Sequence, residues 1–289
     1  MDRLFKISRL KEILNKYDFK FTKSLGQNFL IDGNIVKKIG DAADLCEDDY
    51  ILEIGPGIGT LTEELSLRAK KVISVEIDEK LKELLKETIP YENVEFIFQN
   101  FLKISLREIE EEKFGGRPYK VVANLPYYIT SPIIEKILTE GENCKSITVM
   151  IQREVAERFA AKKSTKDYGS LSVFIQFFSD PIYNFTVSKS CFIPKPNVDS
   201  GLVTLKTKKD LPTINRDEFF KIVRAGFSKR RKTLLNSLSK SALNLDKDMV
   251  KKALKNSNID ENRRAESLGM EEFMALYENF KNLEEDING

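Results

Sequence analysis

Two short stretches hold residue types whose spacing can do chemistry. In "EIGPGIGT" an apolar run leads into Gly55, Gly57 and Gly59. Glycines at such a turn let a ligand approach the backbone where a Cβ would block it. The dinucleotide fingerprint wants its third small residue one place later, at Thr60, and no Lys-Ser or Lys-Thr follows, which excludes a P-loop. Glu53 stands just before the turn, where an acid suits a cationic amino group better than a pyrophosphate. Glu76 closes the next apolar run, where a carboxylate can accept both hydroxyls of a ribose. An adenosine carrying an amino acid satisfies both ends. Each feature alone also fits an ordinary tight turn or a solvated charge; the pairing at two strand ends is what points to a nucleoside.

The second stretch is "NLPY", Asn124 to Tyr127. The Asn124 side-chain oxygen and the Leu125 carbonyl can accept both N–H bonds of an exocyclic amine, Pro126 stiffens the turn, and Tyr127 offers a face for stacking. That arrangement steers an amine nitrogen toward an electrophilic methyl group, with positioning as the main catalytic device. No histidine base is needed, because the proton can leave to water after the displacement. By itself the tetrapeptide also reads as an ordinary Asn-Pro loop.

Composition removes competing chemistries. The chain of 289 residues contains no histidine, which excludes Ser-His and Cys-His catalysis and His-ligated metals. Cys46, Cys144 and Cys191 are far apart and odd in number, so neither a disulfide framework nor a metal site is expected. A formal net charge of +2 leaves nucleic-acid binding to local clusters of Lys and Arg. With no long apolar run and no secretory leader pattern, the expectation is a cytoplasmic protein without membrane contact.

The elements that must position these residues are also legible. Residues 1–20 carry Leu4, Ile7, Leu10, Leu14 and Tyr17 at helical spacing, predicting an amphipathic N-terminal extension. From Asn34 the patterns alternate: helix to Leu45, strand Tyr50–Ile54, helix Leu61–Arg68, strand Lys71–Glu76, a helix capped by Asp78, strands at Val94–Phe98 and Lys120–Ala123, a helix opening at Ser131-Pro132, and the strand "SITVMI". Such alternation predicts an α/β fold, a parallel sheet with helices on both faces that binds ligands beyond the carboxyl ends of its strands. After Lys208 the strand signals stop, predicting a small all-helical C-terminal domain. The expected organisation is therefore 1–20, 21–208 and 209–289.

"FTKSLGQNFL", "LEIGPGIGTLT", "VEID", "NLPYYITSP", "MIQREVAERFAA", "YGSLSVFIQ", "FIPKPNVDS" and "GFSKRRKTLLNSL" together resemble the successive motifs of the ribosomal RNA adenine dimethyltransferases, in family order, over roughly residues 21–270. The resemblance implies a Rossmann-like class I methyltransferase sheet and S-adenosyl-L-methionine as donor, leaving S-adenosyl-L-homocysteine. It implies donor contacts from Asn28, Leu30, Gly55, Glu76 and Asn124, beside the turn residues Glu53 and Gly57, with Asn124 also catalytic. It further implies that the target adenine lies between Tyr127 and Phe192, and stacking between two rings is a sound way to hold an extruded base. One position departs: where the family has an Asp accepting from the donor's adenine amine, this chain has Asn100. The amide oxygen can keep that contact, more weakly than a carboxylate.

Two basic clusters suit an RNA backbone: Lys229, Arg230, Arg231 and Lys232 in "SKRRK", and Arg263 with Arg264 in "NRRAE". Lys162, Lys163 and Lys166 are a weaker third. Charge runs are also ordinary solvated faces, although four consecutive cations repel one another unless a polyanion is near. Within the family, "NLPYYITSP", "YGSLSV" and "SKRRKTLLNSL" resemble the group that dimethylates two adjacent adenosines near the 3′ end of 16S rRNA in the immature small subunit. The alternatives are methylation of 23S rRNA of the antibiotic-resistance type, a role chiefly in subunit assembly, and a non-catalytic RNA-binding relative. A monomer suffices for all of them.

Overall fold

The computed structural model describes residues 3–19, 21–22, 25–243 and 245–288, with side chains to residue 283. Met1, Asp2 and Lys20 of the expected extension, Lys23 and Ser24 of "FTKSLGQNFL", and Asn244 and Gly289 of the expected helical segment lie outside the described residues.

The chain opens with helix α1 (Ile7–Lys16), strand β1 (Phe29–Leu30) and α2 (Gly33–Ala42), whose first turn is capped by the Asp32 side chain. Then come β2 (Tyr50–Ile54), α3 (Thr60–Arg68), β3 (Lys71–Glu76), α4 (Lys82–Thr88), β4 (Val94–Phe98), α5 (Leu106–Glu108), β5 (Tyr119–Asn124), α6 (Thr130–Glu140) and β6 (Cys144–Gln152). The remainder is α7 (Arg153–Phe159), α8 (Ser170–Phe178), β7 (Ser179–Val187), β8 (Phe192–Ile193), β9 (Ser200–Thr207), α9 (Arg216–Phe227), α10 (Leu234–Ser239), α11 (Lys247–Asn256) and α12 (Met270–Asn288).

Seven strands form one sheet in the order β4-β3-β2-β5-β6-β9-β7. The strands from β4 to β6 run parallel to their neighbours, and β9 is antiparallel to β6. Chain order reverses between β2 and β5, which opens a crevice beyond their carboxyl ends. Strands β2, β3 and β5 are rich in Val and Ile and largely buried, as central parallel strands must be. A second sheet pairs β1 with β8 antiparallel, Phe29 opposite Ile193 and Leu30 opposite Phe192.

By its contacts the chain divides into Met1–Ala156 with Pro181–Thr207, and Glu157–Asp180 with Lys208–Gly289. The division differs from linear boundaries at 20 and 208 in two ways. Leu10 and Ile13 of α1 are 1% exposed within an apolar cluster with Ile58, Leu81, Leu84 and Leu85, so this helix is part of the α/β unit. Burying each such side chain contributes about 1.5–3 kcal/mol. Helix α8 instead packs Phe177 and Phe178 on Phe219 and Phe220 of α9, in the helical unit. Its run "SLSVFIQFF" identifies a buried helix without naming the surface that buries it. Among the described residues no helix is long and apolar enough to cross a membrane.

Candidate active site

A cleft of about 970 Å³, the solvent space at its mouth included, lies along the carboxyl ends of the strands. Its wall brings together Asn28, Leu30, Gly55, Gly57, Glu76, Asn100, Asn124, Leu125, Pro126 and Tyr127 from five separate segments.

The glycines divide the labour of the turn. All three have positive φ: +71° at Gly55, +59° at Gly57 and +90° at Gly59. A Cβ on Gly57 would stand 2.8 Å from the Phe29 ring, and one on Gly59 2.7 Å from Ile89, so these two are small because protein packs on them. A Cβ on Gly55 would meet nothing within 4 Å, so the space there is kept open on the cleft side.

Glu76 ties the turn to the end of β3. Its Oε2 accepts from Gly57 N at 3.1 Å, and its Oε1 accepts from the backbone of Ile77 and Asp78. Burial raises its pKa, while those backbone N–H groups oppose the rise. Glu53 differs from expectation. Strand alternation puts it on the face shared by Ile51 and Val72, beneath α3, and it does not line the cleft. Its Oε2 accepts from Thr62 Oγ1 at 2.7 Å and Ser74 Oγ at 2.8 Å, and its Oε1 is buried without a partner. Burial pushes its pKa up to about 7, against the two hydroxyl contacts. The expected meeting with a cationic amino group is replaced by support of the turn from below.

Asn124 ends β5, and its Nδ2 donates to the Asn28 carbonyl at 3.0 Å. With the amide nitrogen so committed, Oδ1 is the end left to accept from a ligand. Asn28 in turn donates to Gly26 O at 2.9 Å, while Gln27 donates to Asp78 at 2.8 Å, so the "GQN" segment is pinned to both strand ends. Leu125 is anchored through its N–H to Met150 O. Tyr127 is half-buried, with its hydroxyl 2.8 Å from Ser200 Oγ. Burial raises that phenol's pKa.

Phe192 is not where the resemblance puts it. It is 2% exposed, packed with Leu30, Val36 and Val187, and absent from the cleft wall. The β1–β8 pairing aligns it with Leu30 and draws its ring into the core. Asn100 lines the cleft, but its Oδ1 accepts from Leu102 N at 3.0 Å.

Residues missed from the sequence also stand in the wall. Tyr128 is 57% exposed and packs against Gly26. Thr60 Oγ1 is buried without a partner, and Gln99 and Phe101 sit beside Asn100. Their positions after the recognised motifs were the available signal. The open space at Gly55, the acid at β3 and the unpartnered Thr60 hydroxyl fit an adenosine carrying an amino acid.

In the helical unit the basic clusters divide. Residues 228–232 form the exposed loop between α9 and α10. Arg230 is nevertheless engaged, donating to Lys166 O at 2.7 Å and pairing with Glu266. Arg263 is committed internally: it pairs with Glu272 and donates to Ser267 Oγ at 3.1 Å and Ser267 O at 2.7 Å. The Arg263 guanidinium holds the Glu272 carboxyl at about 2. Arg264 is exposed.

Comparison with known proteins shows the family. The family described as ribosomal RNA adenine dimethylase matches residues 18–282. The ribosomal RNA small subunit methyltransferase A of Alkaliphilus oremlandii (strain OhILAs) is 50% identical over 283 residues, covering 96% of this chain and 98% of that protein. The crystal structure of a dimethyladenosine transferase from Plasmodium falciparum superposes with a TM-score of 0.75 at 29% identity, covering 88% of this chain and 98% of that one. The 23S rRNA methyltransferase ErmE gives 0.66 at 27%, covering 88% and 100%. The chain belongs to the ribosomal RNA adenine dimethylase family and is an S-adenosylmethionine-dependent rRNA adenine-N6,N6-dimethyltransferase.

Proposed function

We propose that this chain dimethylates two adjacent adenosines near the 3′ end of 16S rRNA in the immature small ribosomal subunit, working as a monomer in the cytoplasm. The observation that carries the reading is Asn124: its Nδ2 is spent on Asn28 O, beside the open space at Gly55 and the ring of Tyr127, in one cleft. The 50% identity to a small-subunit methyltransferase supports the choice of subunit.

S-Adenosylmethionine, when bound, supplies a methyl group activated by its sulfonium. The residues that would hold it are Asn28, Leu30, Gly55, Gly57, Glu76 and Asn100, with Glu53 supporting the turn. Asn124 Oδ1 and the Leu125 carbonyl accept the two N–H bonds of the target amine, which directs the nitrogen lone pair toward the methyl group. Tyr127, held by Ser200, stacks on the adenine. The second ring expected at Phe192 is withdrawn in the core, so Tyr127 supplies the face. No side-chain base is needed, because the methylated nitrogen is acidic enough to lose its proton to water. The same acceptors serve the free amine and the monomethylamine, which still has one N–H to give.

Lys229, Arg231, Lys232 and Arg264, exposed in the helical unit, follow the RNA backbone; Arg230 and Arg263 contribute less, being engaged internally. The test is methyl transfer from labelled donor to undermethylated small subunits, large subunits and naked RNA. Small subunits should be labelled at two adjacent adenosines, and Asn124→Ala should label them far more slowly. Labelling of large-subunit RNA alone would overturn the reading.

A further inference from the structure

Tyr128 carries the one exposed aromatic ring among the described residues, and that ring stands in the wall of the cleft. It is also seated. A Cβ on Gly26 would stand 3.4 Å from two of its ring carbons, so the ring lies against bare backbone there, with Gly26 at φ +59°. The Gly26 carbonyl is held in turn, accepting from Asn28 Nδ2 at 2.9 Å. The turn that carries the ring is fixed as well, because the Pro126 carbonyl accepts from Thr130 Oγ1 at 3.2 Å and from Ile129 N at 3.3 Å. One part of the ring is thus supported while 57% of the residue stays open to solvent.

Tyr127 and Tyr128 do not face one base. Residues 127–129 form a 3-10 turn, on which consecutive side chains diverge by about 120°. Their contacts diverge too: Tyr127 reaches Ser200 at the start of β9, whereas Tyr128 reaches Gly26 ahead of β1. The donor's nucleoside lies elsewhere, since its end of the cleft runs from Gly55 through Glu76 to Asn100 across β2, β3 and β4, while Tyr128 follows β5. The substrate supplies what is left. An adenosine extruded into the cleft leaves its neighbours at the mouth, and a neighbouring base has then lost the stacking partner on that side. An open, seated aromatic ring at the mouth fits such a face.

We infer that Tyr128 is a substrate-binding residue: its ring stacks on the base next to the target adenosine, in place of the stack broken when the target enters the cleft. This rests on the reading of Asn124 and Tyr127 as the target's site. Every base has a π-face, so the contact holds the RNA in register without reading its sequence.

Steady-state methyl transfer to undermethylated small subunits tests it. Tyr128→Ala should raise KM for the subunit about tenfold, with kcat changed by less than about twofold, and Tyr128→Phe should restore both. S-Adenosylhomocysteine binding, read by calorimetry, should be unchanged in either variant. Subunits reconstituted with RNA lacking the base on one side of the target, methylation being read at the adenosine that remains, then identify the contact. The wild-type chain should lose about tenfold in KM at one of the two abasic positions and less than about threefold when that base is exchanged for another. Tyr128→Ala should lose no more than about twofold at either position, the contact being already gone. An unchanged KM in Tyr128→Ala, no abasic loss in the wild-type chain, or an abasic loss of full size in the variant would overturn the inference. So would a matching loss of S-adenosylhomocysteine binding, which would assign the ring to the donor. Should Tyr128→Ala fail to fold, Tyr128→Leu, which keeps an apolar side chain on Gly26 without the ring, takes its place. If the wild-type chain labels no small subunit, the methylation reading falls, and the inference with it.

Discussion

Glu53 in the α/β unit and Glu272 in the helical unit are shifted in opposite directions. Glu53 is 1% exposed, accepts from two neutral hydroxyls, and is raised by burial to about 7. Glu272 is paired with Arg263, accepts from Gly269 N at 2.9 Å, and is lowered to about 2. The first region is a crevice built by backbone geometry, where neutral dipoles and open space are kept for a ligand. The second neutralises charge against charge within itself. A cation in that unit therefore cannot be assigned to RNA from its residue type alone.

The largest effect that would sharpen this contrast is at Asn124. Asn124→Ala should lower the methyl-transfer rate by about 10²–10³-fold, the scale of removing one preorganised contact to reacting groups. S-Adenosylhomocysteine binding, read by calorimetry, should fall by less than about tenfold. An equal loss in both would return Asn124 to a simple donor contact.

Next are the cations. Replacing Lys229, Arg231 and Lys232 by Ala should reduce the salt dependence of small-subunit binding by about three in the log-log slope, with the thermal midpoint unchanged. Arg263→Ala should do the reverse, lowering stability by about 1 kcal/mol while the slope stays the same, because it removes the ion pair to Glu272 and the hydrogen bonds to Ser267. If Arg263→Ala moved the slope as strongly as the loop variants, the division of the clusters would be wrong.

The pH dependence of folding carries the same contrast. Glu53 has a folded pKa raised from 4.5 to about 7, so the folded state binds the extra proton between those values. Its contribution is complete below about pH 4.5 and is lost as pH rises through 7, a decline of about 3 kcal/mol by linkage. Denaturant melts at pH 5 and 8 should show the decline in the wild-type chain and a shallower one in Glu53→Gln, with the raised Glu76 adding in the same direction. Glu272 acts oppositely. Its contribution is present above about pH 4.5 and lost as pH falls toward 2, so Glu272→Gln should flatten the acid limb alone.

The sequence by itself determined the strands, the turn and the family. Periodicity of two and of 3.6, together with glycines and proline at fixed offsets, are local properties of the backbone, so β2, β3, β4 and the "NLPY" turn stand where the pattern put them. It also made Gly55, Glu76 and Asn124 candidates for one site, because parallel strands must end on one edge. Only the tertiary structure decided which residues face the cleft. Phe192 is core because β8 pairs with β1, Glu53 lies under the turn because it shares a sheet face with Ile51, and Arg263 is spent on Glu272, nine positions away in the chain. Tyr127 depends on Ser200 in the same way, since the strand that presents the hydroxyl comes much later in the chain. Such pairings are made between segments whose separation no local pattern encodes, so they became legible only once the chain had closed on itself.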